Sequence, residues 1–146
     1  MARVKLEFPG QKPLFVANIP VRISDINYGN HVGNDAVLSV LHESRMQFLA
    51  AQGWTELQLA GAALIMADVM IAYKAEGFYG DTFRVELFVQ EITPFSFDLL
   101  YRVSTSRQGQ EISIAHAKTG MVCFDYEQRK KCRIPAALQQ LLAPAP

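Results

Sequence analysis

The chain has 146 residues, half of them apolar, with 14 basic and 14 acidic side chains and a formal net charge of zero. That length and composition fit one globular domain with a single core. The balanced charge argues against a broad nucleic-acid surface, which shows a basic excess. No apolar run reaches the roughly 18 residues of a membrane-spanning helix, and the opening M-A-R-V-K-L-E-F-P-G lacks the apolar stretch of a signal peptide. Cys123 and Cys132 match no metal or redox spacing, so free thiols in a reducing, cytoplasmic setting are expected.

Residues 14–24, L-F-V-A-N-I-P-V-R-I-S, are β-branched and aromatic and predict a strand, with Pro20 marking an edge or a bulge. A polar, glycine-containing loop follows. Residues 34–52 then predict one helix stopped by Gly53, with Asn34 or Asp35 as N-cap. At about 100° per residue, Val37, Leu38, Val40, Leu41, Phe48 and Leu49 share a wide apolar face, which needs a large surface such as a sheet to cover it. Arg45 falls inside that face and requires an anionic partner or a route to water. Residues 62–75, 82–92, 95–107 and 111–125 are long β-rich runs broken by Gly80-Asp81, Thr93-Pro94 and Gln108-Gly109. Their short connections predict a four-strand antiparallel meander. Residues 135–142 predict a short helix with proline in its first turn, and the closing A-P-A-P is expected to fray. The expected class is α+β, a sheet curled around one long central helix, whose open edges favour a homodimer or homotetramer.

Phosphate-loop, nucleophile-elbow and zinc-pair motifs are absent, and His31, His42 and His116 form no close-spaced ligand set. What remains is the loop D-I-N-Y-G-N-H-V-G-N-D from Asp25 to Asp35 and the first helical turns. A helix N-terminus offers unpaired amides and a positive dipole end, suited to an oxyanion on a carbonyl or thioester. Asp25, Asn27, His31, Asn34 and Asp35 gather there, and Asp35, Ser39, His42 and Glu43 share one side of the helix. From residue types alone, capping by Asn34 and Asp35 and a solvated helix side are the more ordinary readings, since capping is the usual job of such residues.

Four stretches together resemble one family. They are R-I-S-D-I-N-Y-G-N-H-V-G-N-D from Arg22, Glu43-Ser44-Arg45 in the helix, Y-K-A-E-G-F-Y-G-D from Tyr73 to Asp81, and Ile134-Pro135-Ala136-Ala137-Leu138. In order and spacing they resemble the hotdog-fold acyl-CoA thioesterases, on the branch of 4-hydroxybenzoyl-CoA thioesterase and its bacterial relatives. That branch carries patterns close to R-x-x-D-x-D-x-x-G-H-V-N-N, E-x-R, Y-x-x-P-x-x-x-G-D and I-P-x-x-L. The resemblance spans residues 15–142 and implies the hotdog fold, thioester hydrolysis and no cofactor, coenzyme A being part of the substrate. This chain departs from the pattern at the catalytic carboxylate, the second Asp of D-x-D, where Asn27 stands. Gly29 comes one residue early with Asn30 in its place, Gly33 replaces the first Asn after His-Val, and Glu76 replaces the strand-motif proline.

An amide is neither a general base nor a carboxylate nucleophile, so another group must serve. Asp35 ranks first, then Asp25 and Glu43, with His31 as the neutral-pH alternative. The substrate carbonyl is expected on amides from Val32 to Asp35, including Gly33 and Asn34, with Gly29 and Asn27 assisting. Tyr28, Trp54, Phe78 and Tyr79 are candidate acyl-pocket residues. Lys74 and the cluster Arg129, Lys130, Lys131 and Arg133 are candidates for the phosphates of coenzyme A at a subunit interface. Two rivals stand beside hydrolysis: a non-catalytic acyl-CoA binding protein, and a hotdog hydratase or dehydratase.

Overall fold

The computed structural model describes residues 1–143, so the A-P-A-P tail lies, beyond Ala143, outside the described residues. A curved six-stranded antiparallel sheet carries two helices. Its strands are β1 (Phe15–Pro20), β2 (Ala63–Tyr73), β3 (Thr82–Gln90), β4 (Ser96–Arg107), β5 (Gln110–Asp125) and the short β6 (Lys130–Lys131). The helices are α1 (Asn34–Ala51), of 18 residues, and α2 (Ala136–Leu142).

Strand alternation builds the core. On β3, β4 and β5, Val85, Leu87, Leu99, Tyr101, Val103, Ala115, Ala117 and Met121 turn to one face and are buried. That face meets Val37, Val40, Leu41, Phe48 and Leu49 of α1 in one cluster. Leu38 departs from the expectation: it is exposed, lining an open groove with Leu64, Ile65 and Met66 of β2.

The strand expected over residues 14–24 stops at Pro20, at the end of an edge strand paired only with β3. Pro20 supplies no N–H to continue a ladder. The chain then forms a 3-10 turn over Ile23–Asp25, because the Asp25 carboxylate takes the Arg22 backbone N–H at 2.8 Å.

The expected meander is also corrected. The sheet order is β1-β3-β4-β5-β2, with β6 paired to β5, so of the four expected strands only β3, β4 and β5 follow one another as neighbours. β2 instead forms the far edge, paired with β5 from Ala63↔Phe124 to Tyr73↔Ala115. The end of β2 and the start of β3 lie at the same end of the sheet, and residues 74–81 cross that end. Spanning three strand spacings of about 4.8 Å needs only some of that segment's extended length. This crossing segment lies over the N-terminus of α1.

α1 is capped by Gly33, with no side-chain cap, so neither Asn34 nor Asp35 serves as the expected N-cap. Arg45 is buried beside the anionic Glu56, although its Nε makes no hydrogen bond among the described residues. Its Nε lies 3.6 Å from Glu56, and its Nη1 donates to the Tyr101 hydroxyl at 3.1 Å. Tyr101 in turn meets Thr119 at 2.7 Å, and the other Glu56 oxygen holds His42. Among the described residues no helix is long and apolar enough to cross a membrane.

Candidate active site

The loop before α1 is a tight, internally bonded turn. Ile26 and Val32 form an isolated bridge, and the Asn27 N–H donates to the His31 carbonyl at 2.9 Å. The Gly29 N–H donates to Asn27 Oδ1 at 2.9 Å. Asn30 takes φ 63°, a left-handed conformation that asparagine tolerates better than most side chains. The displaced glycine of the motif is thus replaced by a residue that can still make the turn. With Asn27 Oδ1 already accepting, its NH₂ is the free group and points the residue toward donation. The His31 Nδ1 faces the Val32 carbonyl at 3.1 Å. A carbonyl only accepts, so Nδ1 carries the proton and Nε2 keeps a lone pair.

The helix N-terminus is narrower than the sequence predicts. The Val32 N–H is taken by the Gly77 carbonyl at 2.8 Å and the Gly33 N–H by the Asp25 carbonyl at 2.9 Å. Those two amides hold the loop in place, so they are not available to a substrate. The Asn34 and Asp35 amides have no intrahelical acceptor, since they lie in the first turn. The Asp35 carboxylate folds back over Gly33: a Cβ built on Gly33 would stand 2.6 Å from Asp35 Oδ1 and 3.7 Å from Asn27 Cβ. Glycine at this position therefore leaves room for the Asp35 carboxylate, with the Asn27 side chain packed on the same spot.

Tyr73, at the end of β2, donates its hydroxyl to the Asn34 carbonyl at 2.9 Å and ties the sheet to the first helical turn. Burial, and then the nearby Asp35 carboxylate, push the Tyr73 phenol up from its ordinary range. Here a cleft of about 500 Å³ opens, lined by His31, Asn34, Val37, Tyr73, Lys74, Gly77, Phe78 and Arg107 among others.

The crossing segment forms one wall of the cleft and is pinned by Arg107. That guanidinium meets Asp81 at 2.5 Å and 3.0 Å, donates to the Glu76 carbonyl at 2.7 Å, and lies over the Phe78 ring. The Arg107 hydrogen bond holds the Asp81 carboxyl below its ordinary range. Sequence reading missed Arg107 and the bracing role of Tyr73. Arg107 lies at the end of β4, 26 residues from its carboxylate partner, and no local pattern marks that pairing.

The remaining candidates scatter. Asp25 is buried, and its carboxylate is bound by the Arg22 backbone and guanidinium, at 2.8 and 3.2 Å, as a brace for the turn. Glu43 joins Asp25 in a separate groove of about 340 Å³ on the β1 side of α1, away from His31 and Lys74. Tyr28 projects fully into solvent, Tyr79 is largely exposed, and Trp54 packs against the core, so of the four aromatic candidates Phe78 alone borders the cleft that holds His31. The basic cluster sits on the β5–β6 hairpin, where Lys131 and Arg133 lie over Phe95. Register places that hairpin beside Ala63, at the opposite end of β2 from Tyr73, roughly 33 Å away at about 3.3 Å per residue. Among the described residues no group of three His, Cys, Asp or Glu side chains is arranged to hold a metal.

Solved structures share this fold. A candidate thioesterase from Pseudomonas aeruginosa aligns with TM-score 0.81 at 22% identity over 90% of this chain and 100% of that one. A 1,4-dihydroxy-2-naphthoyl-CoA thioesterase from Synechocystis aligns with TM-score 0.77 at 23% identity, over 88% and 94% of the two chains. A gentisyl-coenzyme A thioesterase aligns with TM-score 0.75 at 19% identity, over 88% and 100%. No curated protein matches the chain. The model of the thioesterase-like superfamily matches residues 21–142, which contain the loop, α1, the crossing segment and α2, and the chain belongs to that superfamily.

Proposed function

We propose that this protein hydrolyses an acyl-CoA or acyl-carrier thioester at the N-terminus of α1, with Asp35 as the general base. The observation that carries this reading is the convergence at Gly33. Asp35 Oδ1 and the Asn27 Cβ both border Gly33, which immediately precedes the first-turn amides of Asn34 and Asp35. In this scheme the thioester carbonyl accepts from those amides, and the Asn27 NH₂ donates to the carbonyl or to the water. Asp35 takes a proton from water, whose oxygen attacks the carbonyl carbon. The tetrahedral oxyanion is held by amides already oriented by the helix. Collapse breaks the carbon–sulfur bond and releases the thiol, which recovers the proton from Asp35. His31, with its free Nε2, is the second base, and no cofactor enters the scheme.

The same reading treats the architecture as the hotdog arrangement, with the sheet curving around α1. It also assigns β2 a partner. β2 is a free edge carrying exposed Met66, Val69, Met70 and Tyr73, and an open edge of that length invites pairing with a second copy. A homodimer, or a pair of dimers, closes it. The two free thiols suit a cytoplasmic setting.

Free-thiol release from a panel of acyl-CoAs, short to long and including aryl thioesters, tests the activity. Turnover well above background supports it. Tight binding of one member without release would instead establish a non-catalytic binding protein, the reading that the amide at Asn27 favours.

A further inference from the structure

Any carrier arm that brings its thioester to the Asn34 and Asp35 amides leaves its phosphates outside the cleft, at the far end of the arm. The hairpin cluster of Arg129, Lys130, Lys131 and Arg133 lies at the wrong end of β2 to meet them within one chain. Arg107 borders the cleft but is consumed by Asp81 and the Glu76 carbonyl. Lys74, on the rim, makes no ion pair among the described residues.

Lys74 is also the residue at which the chain leaves β2, so it joins the cleft to the outer face of the sheet. Ala72 pairs with His116, and His116 pairs with Arg102 on the next strand, so His116 and Arg102 are direct cross-strand neighbours. The Phe8 ring caps both, 5.0 Å from the imidazole and 5.3 Å from the guanidinium. The Ser113 hydroxyl lies 3.4 Å from His116 Nε2. Glu86 is the acid next to this patch, and it is shared between Arg102 at 3.0 Å and Arg84 at 3.7 Å, leaving an excess of positive charge. Burial first, then the charges of Lys74 and Arg102, hold the His116 imidazole below its ordinary range. The patch therefore sets Lys74, with no ion pair among the described residues, beside His116 and an Arg102 that shares its acid with Arg84.

We propose that Lys74, His116 and Arg102 form a phosphate subsite on the outer face of the sheet, which receives the phosphates of the carrier arm whose thioester lies in the adjoining cleft. This rests on the thioesterase reading for the identity of the ligand, and the test separates the two. Phosphate supplies a countercharge to Lys74, which has none among the described residues, and to Arg102, which shares Glu86 with Arg84, and the His116 imidazole adds a donor when protonated.

The experiment uses the full chain and two variants, Lys74→Ala and His116→Gln. kcat/KM is compared for an acyl-CoA and for the same acyl group on pantetheine, which has no phosphate. Calorimetric binding of adenosine 3′,5′-bisphosphate is measured in parallel. The expected result is that each variant lowers the preference for acyl-CoA over acyl-pantetheine by at least about fivefold, through KM, and weakens bisphosphate binding similarly. A preference within twofold of wild type in both variants overturns the subsite, even where overall activity falls. If wild type hydrolyses neither thioester, the thioesterase reading fails, and the bisphosphate titration alone decides the subsite. An acyl-carrier-protein thioester, which keeps one phosphodiester, distinguishes the sources. Loss with CoA alone assigns the subsite to the nucleotide phosphates, and loss with both assigns it to the phosphate at the end of the arm.

Discussion

Gly77→Ala tests whether the crossing segment holds the catalytic loop in place. The Gly77 carbonyl takes the buried Val32 N–H at 2.8 Å, and this bond fixes the residue just ahead of the helix cap. A Cβ at Gly77 would run into the Phe83 ring, with Phe83 Cε1 at 3.0 Å and Val32 Cγ2 at 3.1 Å. Phe83 is wholly buried and cannot swing away. The backbone at Gly77 is not in the left-handed region, so the cost arises from packing and not from φ. Overpacking of this kind costs about 1–3 kcal/mol, and weakening the Val32 bond adds about 1 kcal/mol. For a domain of this size the sum lowers Tm by roughly 5–15 °C. Urea denaturation and thermal unfolding measure the stability, and thiol release measures the activity, which is expected to fall because Val32 feeds the turn that carries Asn34 and Asp35. Phe83→Leu in the same chain is expected to recover part of the loss, since it removes the ring the methyl meets. A Tm within about 2 °C of wild type with full activity would refute the reasoning.

Three further outcomes follow from the geometry. Asn27→Asp keeps the acceptor that Gly29 uses and adds a carboxylate beside the free amides, so kcat for thioester hydrolysis is expected to rise about tenfold or more; an unchanged or lower kcat would show that this position no longer faces the reacting carbon. Tyr101→Phe strips the buried hydroxyl that joins Arg45 and Thr119, leaving both short of a partner, and should cost about 1–3 kcal/mol in urea denaturation; a loss below about 0.5 kcal/mol argues that the chain of contacts adds no stability. His116 is held below its ordinary range, so the unfolded chain binds the proton more readily. Stability should therefore fall as pH drops below about 6.5, and His116→Gln should flatten that slope. The groups facing His116 are Lys74, Arg102 with its partner Glu86, the Ser113 hydroxyl and the Phe8 ring, and an unaltered pH slope in the variant would assign the effect to another group.

The helix was legible because its 3.6-residue period and the stop at Gly53 are local signals, and α1 ends within a residue of the expected limit. The strands were legible for the same reason, but their order was not. Residues 63–73 read as a neighbour of β3 only if chain order sets pairing, whereas β2 joins β5 through contacts some fifty residues apart in sequence, such as Asp68 with Lys118. The site divides along the same line. That Asn27, His31 and Asp35 flank one helix end follows from their closeness in sequence. That the Val32 and Gly33 amides are already occupied depends on Gly77 and on the 3-10 turn at Asp25, which no residue pattern announces. Arg107 escaped notice because its work depends on a partner across the sheet. The hairpin cations drew notice by composition alone, and the register then removes them from the cleft of their own chain.

The most direct measurement compares thiol release from one good acyl-CoA by the wild-type protein and by Asp35→Asn. If Asp35 takes the proton from water, the wild type turns over, and the variant, folded and still binding substrate, loses about a hundredfold or more in kcat. A variant that keeps kcat within a fewfold of wild type contradicts the assignment of Asp35, and a wild type that binds the thioester without releasing thiol contradicts hydrolysis itself.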